Sequence, residues 1–217
     1  MKLVAFDCDG VLFDSRQANI AFYSAILKRF GRPVLTDPEA IDYVHSHSAR
    51  ESLTYLFPDG PDLDEILEVY RGIDYRPFIP MMVEEPYLRE FLRFLRPAFF
   101  LGVATNRTTT TTEVFRAHGL MDSFDLVVSA ADVPRPKPSP DAFWRLLEHF
   151  AIEPHEAIYI GDSRVDEGFA RNAGVPLVAY RNPSLSAQFY LDSFAQGPAL
   201  ISSLAPDKAL LRGNFQA

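Results

Sequence analysis

Leu3-Val4-Ala5-Phe6-Asp7-Cys8-Asp9-Gly10-Val11-Leu12 decides how this chain is read. The apolar run Leu3 to Phe6 reads as a buried strand. It stops at two carboxylates one residue apart, followed by glycine. Strand residues alternate faces, so Asp7 and Asp9 leave the strand end pointing the same way. Like charges held that close are unfavourable unless something positive sits between them. In an open parallel sheet, ligands bind at the carboxyl ends of strands. Two readings follow: an aspartate pair kept ionised by a metal, or a strand running into an Asp-Gly turn. The motif alone does not separate them. Cys8 lies between two outward aspartates, so its side chain points inward as a buried thiol rather than a nucleophile.

The rest of the composition narrows the class. With 47% hydrophobic and 23% charged residues, the 217-residue chain has the balance of a soluble globular protein. A formal net charge of -8 argues against nucleic-acid binding, which needs a positive surface. It leaves open a phosphorylated substrate, which needs only a local positive site. Cys8 is the single cysteine, so no internal disulfide forms and a reducing compartment is expected. The apolar start is too short for a signal peptide, and no stretch approaches the ~20 apolar residues of a membrane helix. A cytoplasmic protein with no membrane partner is expected.

Going outward from the first strand, Arg16 to Phe30 has apolar residues at helical spacing, with Ser15 as a plausible N-cap and Gly31 as a stop. Further short helices are expected from Asp37, over Glu51 to Phe57 and over Asp62 to Ile73. No strand is legible here, so residues 15–80 read as an inserted all-helical cap domain. Residues 1–14 and 81–217 form the core. Tyr87 to Leu95 reads as a helix, Phe99 to Ala104 as a strand, and the threonines Thr108 to Thr112 as capping residues for the helix that follows. Strands are expected at Phe124 to Ser129, Ala157 to Ile160 and Val175 to Tyr180, with helices at Ala142 to Phe150 and Glu167 to Ala173. This alternation implies an α/β fold, a doubly wound Rossmann-like parallel sheet. The tail from Asn182 has weak periodicity; a small helix or edge strand with a frayed end is expected.

Four strand ends then carry polar residues suited to one reaction: Asp7 and Asp9, Thr105 and Asn106, Lys137, and Asp162 with Asp166. Oxygen ligands without nearby histidine or cysteine select a hard cation, and Mg²⁺ fits best. Its ligands would be the Asp7 carboxylate, the Asp9 backbone carbonyl and the Asp162 carboxylate, with Asp166 ordering them from behind.

Four segments, Asp7-Cys8-Asp9-Gly10-Val11-Leu12, Ala104-Thr105-Asn106, Lys137-Pro138-Ser139-Pro140-Asp141 and Gly161-Asp162-Ser163 with Asp166, resemble in order and spacing the signature motifs of the haloacid dehalogenase-like hydrolase superfamily. The resemblance covers about residues 1 to 180. The insert resembles the cap of the subgroup containing phosphoglycolate phosphatases and β-phosphoglucomutases. It implies a Mg²⁺-dependent phosphatase acting on a small phosphorylated metabolite. Asp7 would be the nucleophile, forming an aspartyl phosphate. Asp9 would be the general acid and base. Thr105 and the Asn106 backbone would hold phosphate oxygens, and Lys137 would balance the charge.

Alternatives remain. Asp9 argues against a dehalogenase. Lys28, the only lysine of the insert, reads as core-facing, which argues against a phosphonate hydrolase needing a Schiff base. Ser48-Ala49-Arg50-Glu51-Ser52-Leu53 is similar to a segment of β-phosphoglucomutases, which keeps a phosphosugar mutase in view; a non-catalytic binding protein is the third reading. Arg50 could grip a second anionic group of the substrate, or cap a helix. His45 and His47 share that polar interlude. Segments 14–16 and 79–83 would be hinges for cap closure. A monomer or a homodimer is expected.

Overall fold

The structure is a computed structural model that describes residues 1–108 and 110–209, so the expected frayed end beyond 209 lies outside the described residues. Contacts divide the chain into two compact units: Met1–Phe13 with the chain from Glu84 onward, and Asp14–Val83.

The first unit is built on six parallel strands: β1 (Leu3–Phe6), β2 (Phe100–Thr105), β3 (Leu126–Ser129), β4 (Ala157–Gly161), β5 (Leu177–Tyr180) and β6 (Phe189–Leu191), in the order 3-2-1-4-5-6. β1 is central. Leu3 lies opposite Phe100 and Ala157, and Phe6 opposite Val103 and Ile160, which sets the carboxyl ends of β1 and β4 level. Both faces of β1 are covered, which is why it reads as an unbroken apolar run rather than an alternating one. On one face, Phe143 and Leu146 of the helix Asp141–Phe150 and Phe169 of the helix Arg164–Ala173 pack with Leu3, Ala5 and Tyr159. On the other, the Phe6 ring meets Phe91, Phe124 and Phe194 at centroid distances of 6.2, 5.9 and 6.3 Å. The doubly wound Rossmann-like sheet is therefore as expected.

Small differences have local causes. The fifth strand begins at Leu177 rather than Val175, because Pro176 has no N–H to give to a ladder. The tail forms both an edge strand, β6, and a helix, Gly197–Leu204. Among the described residues of the threonine run, Thr110 sits at the N-cap of the helix Thr111–Ala117 with helical backbone angles and no side-chain cap hydrogen bond. Its hydroxyl accepts instead from Arg107 Nη1 at 3.2 Å. Thr109 lies outside the described residues.

The second unit holds the helices α1 (Arg16–Arg29), α2 (Pro38–Ser46), α3 (Ala49–Leu56) and α4 (Leu63–Gly72) and a 3₁₀ turn at Arg76–Met81. Phe22 anchors its core, with ring centroids 5.3 Å from Tyr70 and 5.1 Å from Tyr75. Asp37 caps α2 by accepting from Ala40 N at 2.9 Å, and Ser48 with Glu51 forms a reciprocal capping box on α3. Ser15 stands at the N-cap of α1 but makes no such bond; Asp14 Oδ1 accepts from Arg16 N at 3.0 Å instead. Phe13–Asp14 and Val83–Glu84 pair as a two-stranded sheet where the chain passes between the units. Among the described residues, no helix is long and apolar enough to cross a membrane.

Phe143 is fully buried against Tyr159 and Phe169. Phe143→Ala is expected to lose about 3–5 kcal/mol of unfolding free energy in chemical denaturation. A loss under about 1 kcal/mol would contradict the packing described.

Candidate active site

The site starts where β1 ends. Asp7 N still donates to Ile160 O at 2.9 Å, so the carboxylate is held by the last ladder bond between β1 and its neighbour β4. The chain then turns sharply, with Leu12 N and Phe13 N both donating to Cys8 O. Gly10 has φ +79°, and a Cβ there would lie 2.1 Å from Asp162 Oδ2. Only glycine meets both demands. Its bare Cα lets the Asp162 carboxylate, from the loop after β4, settle against the loop after β1. Cys8 is buried, and burial pushes its thiol well up, as expected of a structural cysteine.

Lys137 is the centre of the charge arrangement. Its Nζ lies 2.7 Å from Asp7 Oδ1, 2.7 Å from Asp166 Oδ1 and 3.0 Å from the Tyr159 hydroxyl. Nζ donates to Asp166 and Tyr159, and Asp7 stands beside it as an ion pair. Burial alone would lower its pKa, but Asp166 and Asp7 overcome that and hold it above the ordinary lysine value. The lysine is fixed from its backbone too: the Asn106 side chain donates to Lys137 O at 3.0 Å and accepts from Lys137 N at 2.8 Å. Thus the loop after β2 aims the loop after β3.

The three carboxylates differ. Asp166 is fully buried, yet its Oδ1 accepts from Lys137 and Tyr159, and its Oδ2 from Ser163 N and Oγ. Burial opposes its charge; Lys137 and these hydrogen bonds prevail, and its pKa is lowered. Asp7 has less help. Burial raises it, Lys137 opposes, Asp166 adds repulsion, and its carboxyl is pushed up to about 7. Asp162 is also raised well above the usual carboxylate range, by burial and then by Asp166 and Asp7.

This arrangement suits a cation. Asp7, Asp162 and Asp166 each present an oxygen, all within 4.8 Å of one another. Asp7 Oδ1 accepts no well-formed hydrogen bond, although Lys137 Nζ stands beside it. Among the described residues, four carboxylates (Asp7, Asp9, Asp162, Asp166) gather here against two ion-paired cationic side chains, Lys137 and Arg107. An all-oxygen set of this kind fits a hard divalent ion. Asp9 contributes differently, because its carboxylate accepts from Arg107 Nε at 2.9 Å and Nη2 at 2.8 Å. Any share it takes in a cation would pass through its backbone carbonyl.

Thr105 is buried at the end of β2, and its Oγ1 accepts from Arg107 N at 3.1 Å. In the helical unit, Arg50 lies in the first turn of α3, mostly exposed, 3.7 Å from Asp64. His45 Nδ1 is 3.3 Å from Asn19 Nδ2, and His47 stacks on Tyr43. Sequence reasoning missed two participants. Tyr159 carried one signal, as a hydroxyl-bearing residue within the apolar run Ala157 to Ile160. Arg107 carried another, as a charge directly after Thr105-Asn106.

A Rossmann-like sheet that gathers an ion-paired lysine and a carboxylate cluster at the carboxyl ends of its central strands has the build of an enzyme core. The profile of the family described as haloacid dehalogenase-like hydrolase matches residues 4–180, and the chain belongs to that family. It is 31% identical over 182 residues to a phosphoglycolate phosphatase of Nitrosospira multiformis, with 80% of each chain covered. It is 27% identical over 173 residues to a pyrophosphatase of Bacillus velezensis, covering 79% of each. Among solved structures, a haloacid dehalogenase-superfamily hydrolase from Geobacter sulfurreducens superposes with a TM-score of 0.77 at 41% identity, covering 93% of this chain and 96% of that one.

Lys137→Met leaves Asp7 and Asp166 buried without their cation. It is expected to cost about 3–5 kcal/mol of stability in urea unfolding at pH 7. Tyr159→Phe removes one neutral acceptor of the ammonium and leaves both carboxylates beside it, and should cost about 1 kcal/mol. Equal losses in the two variants would refute the central place given to Lys137.

Proposed function

We propose that this chain is a Mg²⁺-dependent phosphatase that hydrolyses a small-molecule phosphomonoester through an aspartyl-phosphate intermediate. The observation that carries this reading is Asp7 itself. It is a carboxylate at the carboxyl end of the central strand, in contact with a buried lysine and within one cluster with Asp162 and Asp166. Relatives named as a phosphoglycolate phosphatase and a pyrophosphatase support a small phosphorylated substrate.

In this reading Asp7 attacks phosphorus while the ester oxygen departs, and Asp9 gives that oxygen a proton. A water then attacks the phosphoaspartate and passes its proton to Asp9, and inorganic phosphate and free Asp7 remain. Splitting the reaction in this way keeps water out of the first step. Lys137 balances charge on Asp7 and on the transferring phosphoryl group. Thr105 and the Asn106 backbone hold phosphoryl oxygens, the Asn106 side chain being committed to Lys137. The Asp7 and Asp162 carboxylates with the Asp9 carbonyl would hold the Mg²⁺, with Asp166 steadying them from behind. When bound, the ion supplies positive charge that lets a carboxylate and a phosphate approach.

Asp7→Asn is expected to abolish phosphate release from every ester in a panel of sugar phosphates, phosphoglycolate, nucleotides and pyrophosphate, with the circular dichroism spectrum unchanged; turnover at the wild-type rate would exclude Asp7 as nucleophile. A second check reads binding rather than turnover. At a concentration near 100 times its Kd, Mg²⁺ should stabilise the wild type by about 2.7 kcal/mol. Asp162→Asn should remove most of that gain. An Asp162→Asn protein that Mg²⁺ stabilises as strongly as the wild type would rule out the metal assignment.

A further inference from the structure

Asn182 follows β5, and its side chain reaches back to the loop after β4. Its Nδ2 donates to Asp162 O at 2.7 Å. Its Oδ1 accepts from Ser184 N at 3.2 Å and from Ser184 Oγ at 2.7 Å. A backbone N–H only donates and a carbonyl only accepts, so one orientation of the amide satisfies both ends. Arg181, just before it, has φ +51°, a left-handed backbone that few residues other than glycine adopt. Arg181 is tied down as well. Its N–H donates to Leu191 O at 2.9 Å, and its Nη1 lies 3.2 Å from both oxygens of the buried Glu85. A strained backbone that its surroundings hold in place often serves a nearby site.

The bond to Asp162 falls on a particular peptide unit. The C=O of Asp162 and the N–H of Ser163 belong to one planar group. Asn182 holds the oxygen, and Asp166 Oδ2 accepts from the N–H at 3.1 Å. The preceding peptide is held too, because Asp162 N donates to Asp166 Oδ2 at 3.3 Å. The backbone on either side of the Asp162 Cα is therefore fixed. Asp166 and Asp7 repel the Asp162 carboxylate, so its aim depends on how firmly that backbone is gripped. Asn182 supplies a grip from outside the carboxylate cluster.

We propose that Asn182 is a positioning residue for the metal centre: by holding the Asp162 carbonyl it keeps the Asp162 carboxylate turned toward Asp7 and Asp166, where Mg²⁺ would sit. This rests on the reading of Asp162 as a Mg²⁺ ligand. Asn182 acts only through Asp162 and changes no bond in the reaction.

The test is the Mg²⁺ dissociation constant, read by isothermal titration calorimetry on the metal-free protein without substrate. Groups that orient a metal ligand from behind set about 10–100-fold of the affinity, and Asn182→Ala should raise the Kd by that factor. Ser184→Ala loosens the same loop but keeps the donor on Asp162, and should leave the Kd near that of the wild type. Asn182→Asp stands in if Asn182→Ala does not fold. It keeps the shape and the bonds from Ser184 and lacks the donor. Its added negative charge would by itself tighten a cation, so a raised Kd in this variant traces to the lost bond. In turnover of p-nitrophenyl phosphate, Asn182→Ala should need more Mg²⁺ for half-maximal rate, and added Mg²⁺ should recover the lost rate, which it would not do for a general loosening of the fold. An unchanged Kd in the Asn182 variant, an equal rise in Ser184→Ala, or a lost rate that Mg²⁺ does not recover overturns the proposal. A wild type that binds no Mg²⁺, or an Asp162→Asn protein that binds it as tightly as the wild type, removes the metal assignment itself, and this inference with it.

Discussion

One ammonium group in a low-dielectric interior organises the α/β unit's functional end. Lys137 Nζ is shared by Asp7 after β1, by Asp166 in the helix after β4, and by Tyr159 within β4. Removing charges from water is expensive, and attraction offsets it only when every proton and lone pair is used. Here Nζ donates to Asp166 and Tyr159 and is paired in charge with Asp7, and the backbone of the same lysine is clamped by Asn106 after β2. Four strand ends are therefore tied through one residue. The parallel sheet brings them near each other, and the lysine fixes them in register.

Asp166 shows how closely local and long-range demands can be merged. The carboxylate that accepts from Lys137 also accepts from Ser163 N and Oγ, and so completes the capping box of the helix Arg164–Ala173. The first turn of that helix and the charge balance of the site share one side chain. This explains why Asp166 stays ionised while the more weakly supported Asp7 and Asp162 are driven toward the neutral form. Asp166 accepts from Lys137, Tyr159 and Ser163, whereas Asp7 Oδ1 accepts no well-formed hydrogen bond.

Much of this was legible in the sequence, and the division between what was and was not has a physical basis. The apolar run ending in Asp-x-Asp-Gly, the helical spacing of the insert and the alternation of elements are local signals, each decided within a few residues. The polar strand ends could be gathered because a parallel sheet puts all its carboxyl ends on one side. What stayed hidden depends on partners far away in sequence. Tyr159 looked like one more apolar strand residue until its hydroxyl was seen on Lys137 and Asp166. Arg107 showed no purpose without Asp9, 98 positions earlier. The threonine run misled because Thr110 gives its oxygen to Arg107 rather than to the helix. Propensity describes the free segment, and a charged neighbour can override it.

The pairing of β1 with β4, Leu3 opposite Ala157, also has a meaning in time. A ribosome making this chain delivers the Asp7 carboxylate long before Lys137, Asp162 and Asp166 are translated. Until β4 slots in beside β1, that carboxylate is an ordinary solvated acid, with neither its lysine nor its neighbouring acids. The cluster of charges therefore cannot assemble until β4 has been made and has paired with β1.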